Sequence, residues 1–124
     1  MAQIRIAWKG GEVIANLRET PSVNQLVRIL PCEASANTWG DEVYFELPLK
    51  LQLEADAQQV VEPGTVCFWV EGHSLALPFG PTPASKGQES RLVTRCNVLG
   101  NIAGDPRELK KVKAGTPIRV ERVL

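Results

Sequence analysis

The sequence predicts a mainly β fold, a closed barrel of about eight strands with two short helices. Three observations carry this reading. β-prone runs recur along the whole chain between Gly- and Pro-containing turns; only two segments show helical spacing; and no internal repeat or linker divides the 124 residues, so a single domain over residues 1–124 is expected. Closure would leave no exposed sheet edge.

Ile4-Arg5-Ile6-Ala7-Trp8 and Val13-Ile14-Ala15-Asn16-Leu17 flank Lys9-Gly10-Gly11-Glu12, a hairpin pattern around a Gly-Gly turn. Thr20-Pro21 then supplies a capping hydroxyl and a first-turn proline, and Val23, Leu26, Val27 and Leu30 recur at helical spacing before Pro31, which predicts a helix over 21–30. Val43 to Leu47 and Leu49 to Leu53 read as strand, bent at Pro48, which cannot donate to a ladder. After the Pro63-Gly64 turn, Thr65-Val66-Cys67-Phe68-Trp69-Val70 is nearly all apolar and reads as a strand covered on both faces. Gly72-His73 separates it from a short strand over 74–79. Residues 80–91 are rich in turn formers and form the longest irregular stretch, the kind of loop that often binds. Strand signals return at 96–102, Asp105-Pro106-Arg107-Glu108 opens a second short helix over 106–113, and 117–123 reads as the last strand.

Composition narrows the function classes. Fourteen basic residues balance fourteen acidic ones, so no overall field attracts phosphate backbones or anionic lipid, and nucleic acid is not an expected partner. No apolar run reaches membrane-spanning length and Met1-Ala2-Gln3-Ile4-Arg5 lacks a signal-peptide stretch, so no membrane association and a cytoplasmic location are expected. Cys32, Cys67 and Cys96 are odd in number and widely spaced, matching neither a disulfide framework nor a metal signature; they read as reduced, mostly buried thiols. With one histidine, no phosphate-cradling glycine loop and no nucleophile elbow, neither a metal nor another cofactor is implied.

Asn37-Thr38-Trp39-Gly40-Asp41-Glu42-Val43-Tyr44-Phe45 resembles the signature of the small stand-alone prokaryotic cyclophilin-like proteins. Pro63-Gly64-Thr65-Val66 with Trp69, Phe79-Gly80-Pro81-Thr82-Pro83 and Asn97-Val98-Leu99-Gly100-Asn101-Ile102 follow in the same order. The resemblance implies a cyclophilin-like closed eight-stranded β-barrel capped by two helices, and it implies fold more firmly than activity. A peptidyl-prolyl isomerase of that class needs an apolar pocket for the proline ring and a fixed cationic donor. The comparable stretch here, Tyr44-Phe45-Glu46-Leu47-Pro48-Leu49-Lys50, offers aromatics and Lys50 but no arginine, and lysine lacks the planar fork of a guanidinium.

The leading expectation is therefore a binding module for a small molecule or an extended, proline-containing peptide. Its cleft would be built from residues 37–45 and 79–83, with Asn37, Trp39, Tyr44, Phe45, Phe79 and Asn97 as candidate ligand-binding residues. Alternation predicts that Phe45, Val43 and Leu47 face one way and Tyr44 and Glu46 the other. The alternative is an isomerase, with Phe45 and Phe79 cradling proline and Lys50, Arg91 or Arg95 as donor. A third reading is an interaction or regulatory subunit that meets a protein partner. His73 reads as an exposed turn residue, and Asp41 with Glu42 as solvated or capping carboxylates.

Overall fold

The structure, a computed structural model, describes residues 2–123. Strand β1 (Ala2–Trp8) and β2 (Gly11–Leu17) form the N-terminal hairpin, with Trp8 opposite Gly11 and Gly10 at φ +105° in the two-residue turn. Helix α1 (Pro21–Arg28) begins as the sequence requires: the Thr20 hydroxyl accepts from the Val23 N–H at 3.1 Å, and Val23 and Leu26 turn into the core. Then come β3 (Cys32–Ser35), β4 (Asn37–Thr38), β5 (Glu42–Glu46), β6 (Gln58–Val61), β7 (Thr65–Trp69), β8 (Ser74–Pro78) and β9 (Ser90–Ala103). A 3-10 helix (Pro106–Lys111), capped by the Asp105 carboxylate on the Arg107 N–H, precedes β10 (Pro117–Arg122). No described helix is long and apolar enough to cross a membrane.

The strands follow one path, β3-β10-β1-β2-β9-β7-β8-β5-β4, and β6 pairs with β9 beside it. Inward side chains along this path meet in one cluster: Ile4 and Ile6, Val13 and Leu17, Val43 and Phe45, Val66 and Phe68, Leu75 and Leu77, Leu99, Ile118 and Val120. The sheet therefore curls around a common core, and α1 and the 3-10 helix add Leu26 and Leu109 to it.

The expected closed, eight-stranded barrel is corrected: the described residues form ten strands, and no hydrogen-bonded seam joins β3 to β4 among them. The two end strands, β3 and β4, are consecutive pieces of one extended run interrupted at Ala36, whose N–H donates to Thr116 O and whose carbonyl accepts from Gly115 N–H. One run thus pairs first with β10 and then with β5, and adjacent segments of an extended chain cannot form a ladder with each other. β3 packs against β5 without pairing to it.

A second correction concerns residues 49–53, which form no strand. The apolar alternation is real, since Leu47, Leu49 and Leu51 are all buried. The backbone, however, is held by a side chain instead of a ladder. Asn97 on β9 is fully buried; its Oδ1 accepts from the Glu54 N–H at 2.8 Å, and its Nδ2 donates to Gln52 O at 2.9 Å and to Ser22 Oγ at 3.0 Å. Ser22 in turn donates from Oγ and N to the Glu54 carboxylate. One asparagine thereby ties β9, α1 and the 47–57 segment together.

Strand β7 is buried on both faces, as its composition predicts. Val66 and Phe68 point to the main core, and Cys67 points outward to a second cluster with Ala76, Val61, Leu92 and Cys96. This outer layer is supplied by β6 and the first half of β9, neither of which the sequence marked as strand. The register of β9 against β7 slips between Val66 and Cys67, a bulge that lets one strand serve both layers. Gly100 sits beyond it because a Cβ there would lie 2.0 Å from Asn16 O of β2.

Replacing Asn97 by leucine, which keeps its branching but no polar atom, takes a partner from the Glu54 N–H, Gln52 O and Ser22 Oγ. It should lower stability by on the order of 3 kcal/mol in urea unfolding and abolish hydrogen-exchange protection of the Glu54 amide. Unchanged stability would show that the 47–57 segment is held by its leucines alone.

Candidate functional site

The turn between β4 and β5 builds the site. Trp39 donates its N–H to Glu42 O at 3.0 Å, so Gly40, at φ +60°, and Asp41 form the tip, and Trp39 and Glu42 stand opposite each other. Two residues further along β5, Tyr44 emerges on the same face as Glu42. Across β8, strand β7 contributes Trp69, whose ring meets Tyr44 edge-on at 6.0 Å between centroids and 83° between planes. Gly72 makes this placement possible, because a Cβ at that position would lie 2.3 Å from the indole of Trp69. Val93 of β9 completes a cavity of about 150 Å³ lined by Trp39, Glu42, Tyr44, Trp69 and Val93.

Glu42 is the most buried of the five, at 6% exposure, and its Oε1 has no hydrogen-bond partner. The expectation of a solvated or capping carboxylate is therefore corrected: β5 starts at Glu42 and turns it onto the outer apolar layer. Burial pushes its carboxyl up to about 7. The same surroundings raise both neighbouring thiols. Cys67 is pushed well up by burial, then by the charges of Cys96 and Glu42, and Cys96 is raised to about 12 by burial, then by Glu42 and Glu71. Neither is a thiolate nucleophile at neutral pH.

The sequence-derived candidates separate into four groups. Trp39 and Tyr44 come together in the pocket. Asn37 is exposed on β4, paired with Tyr44 in register. Phe79 lines a different cavity, of about 200 Å³, beside Thr38, Asp41 and Lys110, and Glu42 borders both. Phe45 and Asn97 are fully buried, Phe45 in the core and Asn97 in the network described above. Phe45 therefore cannot cradle a ligand together with Phe79. Lys50 borders other surface depressions with Gln52 or His73, and Arg91 is paired with Glu89 at 3.3 Å, so the residues of the isomerase alternative are not assembled in one place. Trp69 and Val93 are pocket residues absent from the sequence-derived candidates, and Glu42 fell within the 37–45 segment but was read as solvated or capping. The Pro63-Gly64-Thr65-Val66…Trp69 stretch was the one available signal.

His73 lies in the β7–β8 turn at φ +49°, half-buried, with Nδ1 unpartnered and 47–50 beside it. The 81–89 loop is bound to itself: Thr82 donates from Oγ1 to Arg91 O, Ser85 donates from Oγ to Glu89 O at 2.6 Å, and the Glu89 carboxylate accepts from the Lys86 and Gly87 N–H groups. Of three larger depressions, those of about 470 and 390 Å³ contain no aromatic side chain and no unpartnered buried polar atom, and the third, of about 310 Å³, is lined by residues 46–50 and His73, whose Nδ1 is unpartnered, and contains no Trp, Tyr or Phe. Among the described residues, no group of three or more His, Cys, Asp or Glu side chains is placed to hold a metal ion.

The model of the cyclophilin-like family matches residues 2–121. The chain belongs to the cyclophilin-like family. Among solved structures, this cyclophilin-like protein is similar to the hypothetical protein AF2241 from Archaeoglobus fulgidus, at 34% identity and a TM-score of 0.85, with 98% of this chain and 95% of that one covered. It is also similar in fold to McbB, solved in complex with tryptophan, at 15% identity and a TM-score of 0.66. That alignment covers 95% of this chain but 44% of McbB. No curated protein matches the chain significantly.

The Glu42 carboxyl makes stability depend on pH. Its ordinary value is 4.5 and its folded value about 7, so the folded state holds the proton more tightly, and the resulting stabilisation is complete below about 4.5 and lost as pH rises through about 7. The shift corresponds to about 3 kcal/mol. Glu89, Asp105 and Glu121 are held below their ordinary values and act in the opposite sense on acidification. The difference between wild type and Glu42→Gln should therefore isolate Glu42: the variant gains relative stability from pH 4.5 to 8, measured by melting at each pH. A flat difference curve would mean that the carboxyl is already solvated.

Proposed function

We propose that this cyclophilin-like domain, acting as one unit over residues 1–124, is a binding module whose ligand enters the pocket of Trp39, Glu42, Tyr44, Trp69 and Val93. The observation that carries the reading is the unpartnered, buried Glu42 Oε1 among three aromatic side chains. A buried carboxyl oxygen without a partner costs stability, on the order of 1–3 kcal/mol. Trp39, Tyr44 and Trp69 are only half-buried, so part of their apolar surface stays in contact with water. Both features weaken the free protein and both are relieved by a ligand. The cavity is smaller than drug-sized sites, so it takes a head group: part of a small molecule, or one side chain of an extended peptide. McbB, which shares the fold over 44% of its length, is known in complex with tryptophan, so a small-molecule ligand occurs in a protein that contains this fold.

A fragment screen followed by NMR tests this. Bound fragments should shift the Trp39 and Trp69 indole N–H resonances. Trp69→Leu should weaken binding by about tenfold or more, and Gly72→Ala should do so indirectly by displacing the indole. His73→Ala should leave affinity unchanged. Hits that perturb only the Phe79 cavity or the 81–89 loop would overturn the assignment.

A further inference from the structure

The chemistry of the pocket lining restricts what the head group can be. No lysine, arginine or histidine lines it: Arg91 and Arg95, two positions either side of Val93 on β9, are engaged by the Glu89 carboxylate and by Ala57 O, and Lys110 and Lys113 border the Phe79 cavity and are exposed. An anionic ligand would therefore meet Glu42 with nothing to offset the repulsion. The aromatic faces favour positive charge, because each ring carries negative density above its plane and the attraction strengthens where water is excluded. Acceptors are scarce: the Glu42 carboxyl and the Tyr44 hydroxyl are the side-chain oxygens present. A primary ammonium would bring three N–H donors to this site, whereas a fully alkylated one brings none and leaves no donor unsatisfied.

Resting on the pocket assignment above, we propose that the ligand is an organic cation, an alkylated ammonium head group held by the faces of Trp39, Tyr44 and Trp69 and neutralised by Glu42. The same head group occurs in free quaternary amines and in trimethylated lysine side chains, and the pocket recognises what they share. Such a ligand supplies the charge that burial denies Glu42, so binding favours the carboxylate and expels its proton. Charged and titratable groups around Glu42 are Tyr44 on β5, Cys67 on β7, Cys96 on β9 with Arg91 and Arg95 of the same strand, Glu71 after β7, and Asp41, Lys110 and Lys113 around the adjoining cavity. The two thiols stay protonated through neutral pH, leaving Glu42, with its value of about 7, as the group that sets the profile.

The test compares choline with 3,3-dimethyl-1-butanol, a neutral molecule of the same shape, by NMR titration of the Trp39 and Trp69 indole N–H signals. Choline should bind about tenfold more tightly than the alcohol, and about tenfold more tightly at pH 8 than at pH 6, following ionisation of Glu42. Glu42→Gln should lose about tenfold in choline affinity and all of its pH dependence, while its melting temperature above pH 7 rises, which separates lost binding from lost folding. A trimethyllysine tripeptide titrated alongside distinguishes the two sources: tighter binding than choline indicates a peptide, weaker binding a free amine, and either supports the head group. Equal affinity for choline and the alcohol, or affinity that falls with rising pH, would overturn the cation while leaving the pocket as a ligand site. Absence of indole shifts with both probes, together with fragment hits that all map elsewhere, would overturn the pocket itself.

Discussion

The structure depends on strand β7 being apolar on both of its faces. A single curled sheet buries one face of each strand, so Val66 and Phe68 are satisfied by the main core, but Cys67 and its neighbour Ala76 on β8 point away from it. Leaving that outer patch in water would cost about 25 cal/mol per Å² of apolar area. The chain covers it with β6 and the first half of β9, and the bulge between Val66 and Cys67 permits β9 to pass from the outer layer into the main sheet. The aromatic pocket lies at the rim of this cover, where Val93 is the contribution of β9 and Trp69 and Tyr44 extend beyond the sealed cluster.

Two buried polar side chains show how differently the fold treats such groups. Asn97 uses its acceptor and both donor hydrogens on a loop and a helix, and in doing so replaces a strand with a side chain. Its burial is fully compensated, and it acts as a structural clamp. Glu42 has comparable burial, yet one of its oxygens meets nothing. The contrast within one small protein argues that the Glu42 environment is not a general looseness of packing. The other unpartnered buried polar atom among the described residues, His73 Nδ1, lies in the β7–β8 turn, whereas Glu42 Oε1 lies where Trp39, Tyr44 and Trp69 converge.

Much of the local structure was legible. The first hairpin, the Thr20 cap and the Asp105 cap rest on contacts within a few residues, and the two-faced burial of β7 and the opposite orientations of Phe45 and Tyr44 follow from the apolar run and the period-2 pattern of their own strands. Leu47, Leu49 and Leu51 show where this logic fails. Their alternation correctly announced burial, but burial does not require a ladder, and the partner that replaced it lies more than forty positions away at Asn97. β6 was missed for the complementary reason: Gln58-Gln59-Val60-Val61 is short, and its strand state comes from pairing with β9.

The sequence by itself determined the mainly β class and the placement of most strands, because turn chemistry, capping and alternation are encoded in adjacent residues, and its motifs carried the resemblance to the cyclophilin-like family. Only the tertiary structure decided that the sheet has ten strands with an unpaired seam, that Asn97 and Phe45 belong to the interior, and that Glu42 and Trp69 share a pocket. Those outcomes depend on which segments lie across from one another in three dimensions. The charge state of Glu42 depends on it most directly, since a carboxyl beside Asp41 in sequence is ordinary, and its shift arises from the water that the neighbouring layers exclude.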